Sequence, residues 1–300
     1  MKKKIIIIIA AVALLLIAGI LFLVLGIGEK SYRVLKVHDY EGSAKVTRED
    51  TGELEPYVNM QLESGDRVTL DTGTFCIKAD EDKFIYLDEH TELQLEATGD
   101  SRSSRTKLKL ISGGITNDIK NKLTEDSTYE VNTPNATMSV RGTIFYVCIY
   151  EENGVKYTKV SVFQGSVATR LVYEDGTQSD EEVLVEKGKE VLIYNDSKTT
   201  DYVSEPKDIK YEELPENVLR LLEKLTSETE DLSITKAEID KVLNGPFVVT
   251  FVYDGKVFAS QIVAKGAKAV VPDLKPTEDG AWDPLIEEPV NKNVTIEWHR

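Results

Sequence analysis

The chain has little of what most reactive sites are built from. It holds 2 cysteines and 3 histidines in 300 residues. Two cysteines are too few for a disulfide scaffold. Cys76 and Cys148 each sit in a β-rich run, 74–77 and 146–149, and read either as buried small hydrophobes or as the two ends of one bridge. His38, His90 and His299 lie far apart and share no ligand spacing with cysteine, which argues against a zinc site. No glycine-rich phosphate loop, nucleophile elbow or His-Glu-x-x-His pattern is present. The acidic clusters Asp80-Glu81-Asp82 and Asp180-Glu181-Glu182 lack the spacing of a calcium loop and read as solvated turn charge. Ser139, Thr143 and Ser161 have no visible base partner. The expectation is a non-enzyme, with no catalytic, cofactor-binding or metal-binding residue.

Positive charge is also scarce. Lys and Arg number 36 against 52 Asp and Glu, a net charge of −16. A surface so acidic repels nucleic acid and anionic lipid, so neither DNA nor RNA is expected as a partner. Long hydrophobic runs are missing after the first 28 residues. Within them, Met1-Lys2-Lys3-Lys4 precedes an uncharged apolar run from Ile5 to Gly28. As a helix this run spans about 36 Å, enough to cross a hydrocarbon core of about 30 Å. It is longer than the apolar core of a signal peptide, and Leu25-Gly26-Ile27-Gly28-Glu29 is a poor cleavage site. The expectation is an uncleaved single-pass anchor in the lipid bilayer, residues 5–28, with a cytosolic stub at 1–4. The three lysines place the N-terminus in the cytosol and the C-terminus outside. The external part then carries 33 basic and 52 acidic side chains, a net charge of −19.

What is abundant is short strand. From Tyr32 to about Asn195, alternating runs such as Lys107–Ile111 and Lys159–Phe163 are separated by Gly-centred breaks. Those breaks are Glu63-Ser64-Gly65-Asp66, Ser112-Gly113-Gly114, Gln164-Gly165-Ser166, Glu174-Asp175-Gly176 and Glu186-Lys187-Gly188-Lys189. Such spacing indicates an all-β sandwich, barrel or solenoid. The densest stretch is Val131–Val147. It holds a strand, a Thr133-Pro134 corner and an Arg141-Gly142-Thr143 step into the β-branched and aromatic Ile144-Phe145-Tyr146-Val147. Pro134 cannot donate to a ladder, and Gly142 marks a sharp turn or a close approach.

Residues 35–195 resemble the FecR domain family. The resemblance rests on Gly42-Ser43-Ala44-Lys45-Val46, Leu62–Thr69 with its Gly65-Asp66 step, Lys107–Ile115, Val131–Val147, and Val160–Val167 with Gly165. It implies a twisted β-sandwich or β-solenoid domain at 29–195, outside the cytoplasmic membrane. Members of the family relay a signal from an outer-membrane receptor to a cytoplasmic sigma factor through a cytosolic N-terminal segment. Met1–Lys4 cannot supply that surface, so direct sigma-factor control is not carried over. Arg141 reads as a structural salt bridge or carbonyl cap, with a binding role as the sharper alternative.

Residues 196–245 read as a linker and a helical segment. Pro215 suits a first helical position, and Val218, Leu221, Leu222 and Leu225 share one face. Thr235 to Glu238 is a capping-box pattern opening a second helix that buries Ile239, Val242 and Leu243 and stops at Asn244-Gly245-Pro246. The pair is expected to pack on its own domain. In the last segment, 246–300, two β runs flank Asp254-Gly255, a strong hairpin signal. It resembles one copy of the Listeria–Bacteroides repeat, a β-grasp-like surface module. Trp282 and Trp298 read as core or hairpin packing, or alternatively as surface aromatics of a carbohydrate platform. Taken together, the expectation is a mainly β, membrane-anchored protein that binds a partner or forms a scaffold at the bacterial cell envelope. Its partner would be an envelope protein or a wall polymer, and it would serve as the external part of a signalling system. The competing expectation is a surface adhesin or cell-wall-binding protein.

Overall fold

The computed structural model describes residues 35–99, 103–194, 202–273, 275–283 and 288–299. The stub at 1–4, the anchor at 5–28 and the polar stretch 197–201 lie outside them. Among the described residues no helix is long and apolar enough to cross a membrane.

Among the described residues fifteen strands form one hydrogen-bonded system. The first eight are β1 (Leu35–Arg48), β2 (Gly52–Leu54), β3 (Arg67–Ala79), β4 (Lys83–Leu87), β5 (Thr91–Gly99), β6 (Ser104–Ile119), β7 (Thr128–Asn132) and β8 (Ala136–Val140). Then come β9 (Ile144–Glu152), β10 (Val155–Gln164), β11 (Ser166–Leu171), β12 (Val183–Glu186), β13 (Lys189–Tyr194), β14 (Tyr202–Val203) and β15 (Lys207–Asp208). Three long strands pass from one layer to the other. The first half of β6 pairs with β5 and β7, and its second half with β4 and β9. β3 divides likewise between β5 and β4, and β1 follows it throughout. The two layers close over Val37, Phe75, Leu110, Val131, Phe145 and Val162, which lie in one continuous apolar core.

The crossings require glycine. Gly42 and Gly73 face each other across β1 and β3 at φ 107° and 98°. A Cβ on Gly42 would lie 2.2 Å from the Thr72 carbonyl oxygen, and one on Gly73 2.1 Å from that of Glu41. Only a residue without Cβ allows both the positive φ and this approach. Gly113 does the same for β6, at φ 80°. Ser112-Gly113-Gly114 is therefore not a break between two strands but the bend inside one. All pairing in this system is antiparallel except β6 with β7, whereas the stacked coils of a solenoid pair in parallel.

Two helices cover the outer face of the second layer. A 3₁₀ turn, Tyr211–Glu213, leads to α1 (Glu216–Leu225) and α2 (Lys236–Asn244). Pro215 is the N-cap of α1 and not its first helical residue. Val218, Leu219, Leu222 and Leu225 are buried from α1, and Ile239 and Leu243 from α2. They form a second core with Ile144, Tyr146 and Phe163 of β9 and β10, so the helices pack on the β domain. Leu219 takes the buried place expected of Leu221, which is only partly buried, as is Val242. The capping box forms as its spacing predicts: Glu238 N–H donates to Thr235 Oγ1 at 3.3 Å, and Thr235 N–H donates to Glu238 Oε2 at 2.9 Å. The described part of the expected linker is not loose, since β14 and β15 both pair with β13.

A separate four-stranded sheet ends the chain: β16 (Phe247–Tyr253), β17 (Lys256–Val263), β18 (Ala281–Asp283) and β19 (Val294–His299). Its order is β17-β16-β19-β18, with β16 and β19 parallel. Asp254 and Gly255 both take positive φ, 51° and 67°, as the tight hairpin turn requires.

Candidate functional site

The structure splits the Val131–Val147 signature between the two ends of β8, about 17 Å apart by strand rise. At one end Thr133 N–H donates to the Ala136 carbonyl at 2.9 Å and closes the corner that Pro134 occupies at the surface. The side chains of Thr133, Asn135 and Thr158 are buried together. Thr158 Oγ1 lies within hydrogen-bond reach of Thr133 Oγ1 and Asn135 Oδ1. Asn135 Nδ2 donates to the carbonyls of Lys156 and Ile193 at 3.1 and 3.2 Å. Each polar group has a partner, so the cluster joins the β7–β8 corner to β10 and β13 without an unmet desolvation cost.

At the other end the Ile119 amide donates to the Thr143 carbonyl at 3.1 Å, and Thr143 Oγ1 donates to the Ser166 carbonyl at 3.0 Å. Gly142, at φ 74°, lies where a Cβ would sit 3.1 Å from the Lys122 Cα. Gly165 lies where a Cβ would sit 2.7 Å from the Gly142 carbonyl oxygen. Two glycines thus let three chain segments meet. Arg141 forms neither a salt bridge nor a carbonyl cap among the described residues. Its side chain is exposed, with no hydrogen bond or ion pair to any described residue. Among the described residues it is an unpaired cation in the turn between β8 and β9.

The pairing of one buried carboxylate is not singled out by any sequence motif. Asp66, in the Gly65-Asp66 step, is only 1 % exposed. It accepts from Arg48 Nε at 2.8 Å, Arg48 Nη2 at 2.7 Å and the Glu63 amide at 2.8 Å. The fork raises the Arg48 pKa above its ordinary value. The Gly-Asp turn was visible in sequence, but its partner lies in a different strand and carries no local signal.

The densest polar region lies beneath α1. Cys76, Tyr86, Thr116, Tyr146, Ser161 and Glu190 stand in register across β3, β4, β6, β9, β10 and β13. Asp88 accepts from Tyr146 Oη at 2.7 Å and from Asn217 Nδ2 of α1 at 2.6 Å. Burial raises its pKa, against the pull of those two hydrogen bonds. Asp118, near the end of β6, is buried, and its Oδ2 has no hydrogen-bond partner among the described residues. Burial pushes its carboxyl up to about 6, with Lys120 opposing and Glu228 adding to the shift. Lys120 in turn donates to Glu228 at 2.7 Å, beyond the end of α1. Both cysteines are free thiols, pushed up by burial to about 12 for Cys76 and about 11 for Cys148. Such thiols are poor nucleophiles. Ser161 donates to Glu190 at 3.2 Å with no imidazole alongside. Among the described residues no three His, Cys, Asp or Glu side chains converge on a metal position. The chemistry this arrangement performs is attachment: carboxylates, a tyrosine and an asparagine fix the helices to the sheet.

The two tryptophans are not surface aromatics. Trp282 and Trp298 are 6 % and 8 % exposed and pack edge to face at 5.0 Å in the core of the C-terminal sheet. Burial there removes the ring faces that a sugar platform would need.

No curated protein matches the chain. Two crystal structures of a proposed anti-sigma factor from Parabacteroides distasonis ATCC 8503 are similar to it. One, at 2.50 Å resolution, is 13 % identical over 65 % of this chain and 84 % of that one, with a TM-score of 0.39. The other, at 1.65 Å, is 11 % identical over 78 % of this chain and 98 % of that one, also with a TM-score of 0.39. The family described as FecR protein matches residues 68–168, a span that begins inside the Leu62–Thr69 element and leaves out the Gly42–Val46 strand. The family match thus runs from β3 to β11.

Proposed function

We propose that this protein is the external binding component of a signalling system in the bacterial cell envelope, and that it performs no catalysis of its own. The FecR match over residues 68–168 is the observation that carries this reading. The uncharged run at 5–28, with three lysines before it, supports a bilayer anchor with the C-terminus outside. The fifteen-stranded body supplies a scaffold, and Arg141, in the turn between β8 and β9, offers a cation that is unpaired among the described residues. The C-terminal sheet, with its parallel central pair, is read as a β-grasp-like repeat set beyond the helices. A signal would pass through an envelope protein that the ectodomain engages.

The test is site-directed photocrosslinking in living cells from position 141, with mass spectrometry of the captured product. Capture of a membrane protein bearing a cytosolic regulatory domain is the expected result. Capture of wall polymer or a surface-layer protein alone would replace signalling with anchoring. Alkaline carbonate extraction checks the anchor separately: the protein should stay with the membrane.

A further inference from the structure

Among the described residues the C-terminal sheet ends in β17 on one side and in the three-residue β18 on the other. β17 pairs with β16 on one side and is the terminal strand of the sheet on the other. Sheet edges are normally blunted by charge, proline or a β-bulge. β17 has a bulge at Phe258, where its register with β16 shifts, but residues 257–264 hold neither charge nor proline. Val257, Phe258 and Ile262 are 68, 37 and 76 % exposed. Gln261 donates to the Val270 carbonyl at 2.7 Å and accepts from the Val270 amide at 3.0 Å, which holds the exposed Val270 and Val271 close by. The apolar strip is therefore larger than single scattered surface residues would make it.

Charge decides what fits there. Lys256 precedes the strip, and Lys265 and Lys268 follow it. All three are exposed, and none forms an ion pair among the described residues. In a chain of net charge −16, this is an edge with a cation at each end and no charge between. A second copy is disfavoured in the antiparallel register that sets Lys256 of one copy opposite Lys265 of the other, because like charges across a ladder repel.

We propose that β17 is a docking edge for an extended strand of another protein, apolar in its middle and acidic at both ends. Main-chain hydrogen bonds to the open edge would supply affinity, and the lysines would select the flanks. This inference stands independently of the signalling assignment.

The probe is a fluorescein-labelled synthetic peptide, Glu-Asp-Val-Ile-Val-Thr-Val-Ile-Asp-Glu, titrated with the full chain by fluorescence anisotropy. A control peptide carries lysines at both ends. The acid-ended peptide should bind, and the lysine-ended one should bind at least about ten-fold more weakly. Ile262→Glu, at an exposed position the fold does not need, should weaken binding by about ten-fold or more. Lys265→Glu with Lys268→Glu should abolish the preference for acidic ends. Equal binding of both peptides, or no effect of Ile262→Glu, overturns the proposal. So does self-association in sedimentation that Ile262→Glu removes, since a second copy would then be the occupant.

Discussion

Truncating Asp66 leaves the Arg48 guanidinium facing a site built for a carboxylate. Asp66→Ala should cost about 3 kcal/mol in urea unfolding, the range for breaking a largely buried ion pair. Arg141 presents the opposite case. With no partner among the described residues, Arg141→Ala should change stability by less than about 0.5 kcal/mol, so any loss of partner capture by that variant is a loss of contact. Asp118 gives a pH signature. Its folded pKa, about 6, lies above the ordinary 3.8, so the native state binds more protons than the unfolded chain between those values. Stability from this group is present at low pH and lost as pH rises through about 6. Asp118→Asn removes that loss. Relative to the parent, its urea midpoint should rise between pH 4 and pH 7, and a constant difference across that range would refute the assignment. None of these three roles was legible in sequence, because each depends on which strand lies opposite, and a side chain's burial is decided by residues far along the chain.

Elements were far more legible than sites, and the reason is the range of the forces involved. Turn and cap chemistry is local. Asp254-Gly255 closes β16 onto β17, and Thr235 with Glu238 starts α2, as their spacing alone demands. Thr235→Ala should cost about 1 kcal/mol, the usual value of an N-cap, measurable by thermal unfolding of the full chain. Gly113 misled the sequence reading because a glycine between two β runs looks the same whether the chain turns back or bends through. Only the pairing of β6 with four different strands separates the two. Gly73→Ala tests that bend. It adds a Cβ 2.1 Å from a backbone oxygen at φ 98°, and should destabilise well beyond the roughly 1 kcal/mol that positive φ alone imposes. Gly176→Ala, where the added atom meets nothing within 4 Å, is the control for the φ term.

At the scale of the whole molecule, the helices and the C-terminal sheet differ in how they are held. The α1–α2 core is continuous with β9 and β10 through Ile144, Tyr146 and Phe163, so the helices should unfold with the sandwich. The last sheet encloses its own core of Phe247, Val249, Phe251, Trp282, Ile296 and Trp298. A small sheet with a separate core has little reason to melt cooperatively with its neighbour. The chain supplies its own reporter, since its 2 tryptophans both lie in that core, while most strands lie in the sandwich. Tryptophan fluorescence should therefore follow the small sheet, and far-ultraviolet circular dichroism mainly the sandwich. Phe251, 1 % exposed beside Trp282, allows the two to be separated. Phe251→Ala should lose about 3 to 5 kcal/mol and move the fluorescence midpoint well below that of the parent, while the main dichroism transition stays in place. Leu222→Ala, in the helical core, should do the reverse. Coincident shifts of both signals in either variant would mean that the cores are energetically one. The C-terminal sheet would then be a structural part of the fifteen-stranded body, and no longer an independent arm free to carry a docked strand.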